Sequence, residues 1–318
     1  MRVLLWHVHG SWTTSFVQGH HDYVMPLLPD RGPDGRGRAQ TWNWPVSVRE
    51  VPAEELADVP VDFALLQRPH EPELLHRWTG RRAGVDLASV YVEHNAPPGP
   101  AAATRHPLAD QDAITVVHVT SFNAVMWDCG RAPTAVVEHG VVDPGYRYTG
   151  ELGSLAVVVN EPVRRWRVAG TDLVLQMSAT VPVEVYGMGL DALVRRAPQL
   201  AGSVHDLRQD ELHDRIGHHR AYFHPYRWTS LGLALIEAMT AGLPVLGLPA
   251  TAAPEAVPGT AGVLSSDVDL LRRTARRWMH EPEEARERGR AARRFALERF
   301  GLHRFLDDWD VLLKEVAR

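Results

Sequence analysis

A single acid, Glu237, interrupts the apolar run Leu233-Ala-Leu-Ile-Glu-Ala-Met239, which follows the polar loop Pro225-Tyr-Arg-Trp-Thr-Ser-Leu-Gly232. The stretch reads as a strand (221 to 224), a loop, a helix (230 to 240), a glycine stop and a second strand (243 to 248). Thr229 or Ser230 is placed to cap that helix. The amides of Thr229, Ser230, Leu231 and Gly232, together with the helix dipole, would form an anion site. Glu237 lies about 7.5 Å further along the axis at ~1.5 Å per residue, a depth at which a carboxylate meets hydroxyls beside a bound phosphate. The chemistry written here is the binding of a phosphorylated, hydroxyl-bearing ligand. The plainer alternative is a buried βαβ unit with one solvated acid.

Two further patterns bear on chemistry. Gly187-Met-Gly-Leu-Asp-Ala192 follows a strand, with Asp206 further on, and fits a dinucleotide-binding turn or an ordinary strand-end turn. His7 and His9 fall on one face of the opening strand. With His20, His21, His94, His106 and Asp206 they offer ligands for a metal-dependent hydrolase. The lysine-bridged dinuclear version of such a site is excluded, because Lys314 is the only lysine in the chain. No Gly-x-Ser-x-Gly elbow occurs.

These residues need a scaffold, and the chain supplies short apolar β-branched runs at 3–8, 61–67, 89–93, 114–119, 135–138, 155–160 and 182–186, besides the two named above. Helical spacing separates them at 71–79, 171–177, 210–217 and 268–278. Strand alternating with helix predicts an α/β protein with buried parallel sheets. Asp143-Pro-Gly145, followed by Gly150 and Gly153, punctuates the chain and sets a domain boundary: 1–145 and 146–318. The apolar stripe Phe295, Phe300, Leu302, Phe305, Leu306, Trp309, Leu312 and Leu313 predicts terminal helices, with the last one packing back on the body.

Composition narrows the class. With 318 residues and 45% hydrophobic content the chain has material for about two domains and is not disordered. One cysteine, Cys129, rules out a disulfide scaffold and fits a reducing cytoplasm. A net charge of -5 gives no footprint for nucleic acid. The N-terminus does not read as a signal peptide, and Glu237 with Gly242 and Pro244 breaks the longest apolar stretch, so no transmembrane span is expected. The arginine clusters at 272–277 and 286–294 alternate with glutamates, as solvated helix faces do, and leave room only for weak peripheral membrane contact. The Arg-, Ala- and Pro-rich composition fits a high-GC bacterial genome.

The segment Gly232-Leu-Ala-Leu-Ile-Glu-Ala-Met-Thr-Ala-Gly-Leu-Pro-Val245 resembles the signature of the retaining glycosyltransferases of family 4 (group 1). That resemblance implies a GT-B fold, two Rossmann-like parallel-sheet domains facing a cleft. It implies an acceptor side in 1–145 and a nucleotide-sugar side in 146–318. The family's paired glutamates fall on Thr229 and Glu237, so Glu237 matches the ribose-binding one and the sugar-binding one is replaced. His94, in Tyr91-Val-Glu-His-Asn95, stands where the family has a histidine beside the donor sugar. Gly10 and Ser11 fall in the glycine-containing loop after the first strand. Val137-Glu-His-Gly-Val-Val-Asp-Pro144 resembles the end of the N-terminal domain. The segment 155–172 resembles the first C-terminal strand and its diphosphate clamp, for which Asn160, Arg164, Arg165 and Arg167 are the donor-binding candidates. The implied reaction is metal-independent transfer, with retention, of a hexose or heptose unit from a nucleotide diphosphate sugar to a small-molecule or glycan acceptor, with no cofactor. A GT-B pseudo-glycosyltransferase and a nucleotide-sugar epimerase are the alternatives within the fold.

Overall fold

A computed structural model describes all residues from Met1 to Arg318. The chain forms two compact units, one of residues 1–142 with 302–318 and one of residues 143–301.

The first unit runs β1 (Arg2–Leu5), α1 (Gly10–Phe16), β2 (Asp22–Leu27), β3 (Val48–Pro52), β4 (Phe63–Leu66), α2 (Glu71–Thr79), β5 (Ala88–Glu93), β6 (Thr115–His118), α3 (Ser121–Met126) and β7 (Thr134–Val136). All strands are parallel, in the order β3-β2-β1-β4-β5-β6-β7. Phe63 to Leu66 and Val90, Val92, Val116 and Val117 are buried, as strands covered on both faces must be. The chain moves outward from β1 to β3 and then returns to β4 on the other side of β1. The carboxyl ends of β1 and β4 are therefore a topological switch point, where the following loops diverge and leave a crevice.

The second unit runs β8 (Leu152–Val158), α4 (Thr171–Ser178), β9 (Val183–Tyr186), α5 (Asp191–Arg196), β10 (Val204–His205), α6 (Gln209–Gly217), β11 (His219–His224), α7 (Leu233–Ala241), β12 (Val245–Gly247), α8 (Ala253–Ala256), β13 (Gly262–Leu264), α9 (Val268–His280) and α10 (Pro282–Phe300). Its parallel sheet has the order β10-β9-β8-β11-β12-β13, so its switch point lies between β8 and β11. Leu155 and Val157 of β8 pack with Phe223, Leu246 and Trp278 in the core. Helix α7 is buried along most of its length, which suits its nearly all-apolar sequence.

The terminal helix α11 (Leu302–Val316) groups with the first unit, whereas the sequence reading places 302–318 in the second domain. Its apolar face explains the difference. Trp309 meets Trp12 and Phe16 edge to face, at centroid distances of 5.7 and 5.2 Å, and Phe305 reaches Trp12 at 6.1 Å. Such aromatic pairs gain beyond simple area burial. Strands β2 and β3 escape the sequence reading because Pro26 and the charged pair Arg49-Glu50 interrupt them. Pro26 is tolerated because β1 pairs only with Asp22 to Val24. No helix is long and apolar enough to cross a membrane.

Candidate functional site

In the second unit the loops after β8 and β11 meet at the switch point. The first, Glu161 to Gly170, folds into successive turns closed by Thr171, whose hydroxyl donates to the Pro162 carbonyl at 2.7 Å. Gly170 caps α4 at φ 70°, and a Cβ there would stand 2.0 Å from the Pro225 carbonyl oxygen. Only glycine allows the two backbones to approach this closely.

The three candidate arginines of that first loop behave differently. Arg164 is exposed, 3.8 Å from Glu161. Arg165 lies over the Tyr226 ring at 5.5 Å. Arg167 donates to Asp172 at 2.6 Å, and Arg227 grips the same carboxylate with bonds of 2.7 and 2.9 Å. Arg227, which sequence reasoning missed, thus joins the two loops through one shared carboxylate, and Arg164 and Arg165 are the cations outside that ion pair. Asn160 accepts from the Met188 amide at 2.9 Å and so holds the turn after β9. Gly187 in that turn sits at φ 136°, where a Cβ would be 2.3 Å from the Val159 carbonyl. A tight strand-end turn therefore accounts for the Gly-x-Gly spacing.

Helix α7 begins at Leu233, and its N-cap is Gly232 with no side-chain cap bond. Neither Thr229 nor Ser230 holds the expected cap position; both precede the helix in the loop, Thr229 half-exposed and Ser230 buried with Leu231. The Leu235 amide donates to the Gly232 carbonyl at 2.9 Å, while the first amides of the helix, at Leu233 and Ala234, have no intrahelical acceptor and carry the positive end of the dipole. Glu237 is 6% exposed, and Gln209 of α6 donates to its carboxylate at 2.8 Å. His213, one turn along α6, lies 3.5 Å from the same oxygen. Gln209 and His213 share a helix face at the i, i+4 spacing, the one signal by which sequence could have found them.

In the first unit the switch point gathers histidines. His94 follows β5, and its Nε2 is 3.0 Å from Gln67 Oε1, while the Gln67 amide donates to the Trp6 carbonyl at 2.8 Å. That arrangement fixes the Gln67 oxygen toward His94, so His94 Nε2 carries the proton and Nδ1 holds the lone pair. His9 lies against His94 with the rings tilted and their centroids 4.0 Å apart, and Trp12 meets His94 edge to face at 5.0 Å. Glu93 secures the His94 loop by accepting from the Asn95 amide at 2.7 Å and pairing with buried His106 at 3.1 Å. Burial pushes His94 well below the usual imidazole range, with His9 and His139 adding to the shift. Burial likewise lowers His9 to about 4 and His139 to about 3. The sequence pattern does not show that Gln67 and His139 share this site with His94.

Two expectations about this end of the chain change. Gly10 and Ser11 are the first residues of α1 rather than a loop, and a Cβ at Gly10 would touch Trp42 at 3.2 Å. His7 packs edge to face on Trp44 at 4.9 Å while His9 turns to His94, because β1 ends at Leu5 and strand alternation stops before them. The Asp-x-Asp spacings at 110–112, 267–269 and 308–310 serve other ends. Asp110 pairs with Arg105, Asp267 caps α9, and Asp310 holds His20 and His21.

The depressed histidines make stability depend on pH. Unfolding returns each ring to an ordinary value near 6.5, so below that pH the unfolded chain binds more protons and stability falls. His219 and His224, lowered to about 4 by burial, add to the same window. The urea midpoint is expected to drop steadily as pH falls from about 7 to about 5, and a flat midpoint would contradict the burial of neutral rings. Gly170→Ala is expected to destabilise the protein by about 2 kcal/mol or more in urea unfolding, through its φ and its contact with Pro225. A change within about 0.5 kcal/mol would show that the two loops do not depend on that approach.

Residues 166–281 match the family described as Glycosyl transferases group 1. No curated protein gives a significant match to the sequence. Among solved structures, sucrose-phosphate synthase from Thermosynechococcus elongatus superposes with a TM-score of 0.70 at 14% identity, covering 99% of each chain. HepE from Anabaena, in complex with UDP-glucose, gives 0.72 at 12% identity, over 99% of this chain and 100% of that one. A glycosyltransferase from Rickettsia africae gives 0.65 at 10% identity, over 100% of this chain and 98% of the other. Two parallel-sheet units of 7 and 6 strands, matched end to end by such structures, are the GT-B fold. Residues 166–281 thus carry the match to Glycosyl transferases group 1, within a chain whose two units have the GT-B fold.

Proposed function

We propose that this protein is a retaining, metal-independent glycosyltransferase that moves a hexose or heptose unit from a nucleoside diphosphate sugar to a small-molecule or glycan acceptor. The observation that carries the reading is the buried Glu237 carboxylate, beside Gln209 and His213, on the helix that starts at the second unit's switch point. A carboxylate accepts bidentately from a vicinal diol, and the ribose of a nucleotide offers one. UDP in the similar HepE structures is a ligand of this class.

In this reading the α7 first-turn amides with Arg164 and Arg165 hold the diphosphate. As the bond between the anomeric carbon and the phosphate oxygen breaks, the electron pair stays on the departing diphosphate. Fixed donors at that oxygen lower the barrier because they need no reorganisation. The acceptor hydroxyl forms the new bond on the same face of the sugar, and its proton leaves with the diphosphate oxygen. This scheme places no metal or organic cofactor at the site. His94 stays neutral near pH 7 and presents Nδ1 as an acceptor for a sugar hydroxyl. Thr229 offers one hydroxyl where a second carboxylate would grip two, so the donor sugar is held more weakly there or contacted by other groups. The 1–142 unit supplies the acceptor side, and the free, buried Cys129 suits a cytoplasmic setting. Thr229 also supports the second reading, a GT-B protein that binds the donor without transferring its sugar.

Incubation with a panel of nucleoside diphosphate sugars and acceptors in EDTA tests the proposal, with product configuration read by NMR. The expected result is product of retained configuration at a rate that EDTA does not change, cut at least about tenfold by His94→Ala. An inverted product, or activity abolished by EDTA, would overturn it. Donor binding without any product would establish the second reading.

A further inference from the structure

We propose that His20, His21 and Asp310 form a binding site for a divalent transition-metal ion of the zinc type, which fastens the terminal helix to the first unit. The ligand atoms, one from each residue, all lie within 4.8 Å of one another. His20 Nδ1 stands 3.3 Å from Asp310 Oδ2 and His21 Nε2 stands 3.0 Å from Asp310 Oδ1. A tetrahedral ion with bonds of ~2.0 Å keeps its ligand atoms roughly 3.3 Å apart; the two contacts to Asp310 already stand near that spacing, and the three donors, within 4.8 Å, close on one ion by side-chain rotation. Adjacent residues in a chain converge in this way because one ring presents Nδ1 and the other Nε2.

The donor set selects the metal. Two imidazole nitrogens and one carboxylate oxygen suit zinc and its neighbours, whereas magnesium and calcium take oxygen ligands throughout. His21 is buried, Asp310 is partly shielded and the His20 side chain is 69% exposed, so the fourth position opens to water on the His20 side. The ligands come from two parts of the unit far apart in sequence: the turn between α1 and β2, and the middle of α11. The ion would close that span directly. It would hold α11 in the pose in which Trp309 packs on Trp12, which itself packs on His94. The site is structural and separate from the sugar chemistry, since none of its ligands is a donor-binding candidate.

The full-length protein, stripped with EDTA and dialysed, is titrated with zinc chloride by calorimetry, and its thermal midpoint is measured with and without zinc. One site per chain and a midpoint raised by several degrees are expected. His20→Ala, at an exposed position, should fold normally yet bind zinc at least about tenfold more weakly and lose the zinc-dependent rise. His303→Ala, which removes an exposed histidine of α11 paired with Asp307, should leave both effects in place. No zinc binding by the natural protein, or binding undiminished in His20→Ala, would overturn the proposal.

Discussion

Burying the Glu237 carboxylate costs several kcal/mol unless partners replace the water it loses. The structure supplies Gln209 as a donor and His213 beside it, both from α6. A purely structural role would be met more cheaply by an apolar residue, since α7 is otherwise almost wholly apolar. The cost is understandable if the carboxylate also meets a ligand, and its surroundings fit that use. The helix that carries it follows the loop after β11, and the loop after β8 packs against that same loop. The Gly170 backbone approach and the Asp172 bridge between Arg167 and Arg227 hold those loops together.

The first unit repeats the logic with a different chemistry. Its switch point also lies beside the opening strand, yet it gathers neutral imidazoles in place of arginines. Gln67 sets the tautomer of His94, and Glu93 with His106 fixes the loop that carries it. Buried rings of this kind remain uncharged at neutral pH, so His94 offers a hydrogen-bond acceptor and not a cation. In the proposed reading, one unit meets anionic phosphate and the other meets hydroxyls.

Much of this was legible in the sequence. Alternating apolar strands and amphipathic helices imply parallel sheets, and the isolated acid in an apolar helix marks the Glu237 site. The signals failed where tertiary contacts decide. Gly10 to Phe16 became a helix because Trp12 and Phe16 find partners in α11, almost the whole chain away. The cap position expected of Thr229 or Ser230 falls to Gly232 because the helix starts later, at Leu233. Gln67, Gln209, His213 and Arg227 are ordinary polar residues in isolation, and only the packing of loops and helices brings them to the site. The sharing of Asp172 between Arg167 and Arg227 could not be read from spacing, because the two arginines lie on different loops.

The most direct test of the account is calorimetric titration of the full chain with UDP, GDP, ADP and dTDP in the presence of EDTA, repeated on Glu237→Ala. The account predicts that one nucleoside diphosphate binds without metal, and that the substitution weakens it by about 1.5 to 3 kcal/mol, roughly 10- to 150-fold. Absence of binding by all four, or affinity unchanged by the loss of Glu237, would contradict it.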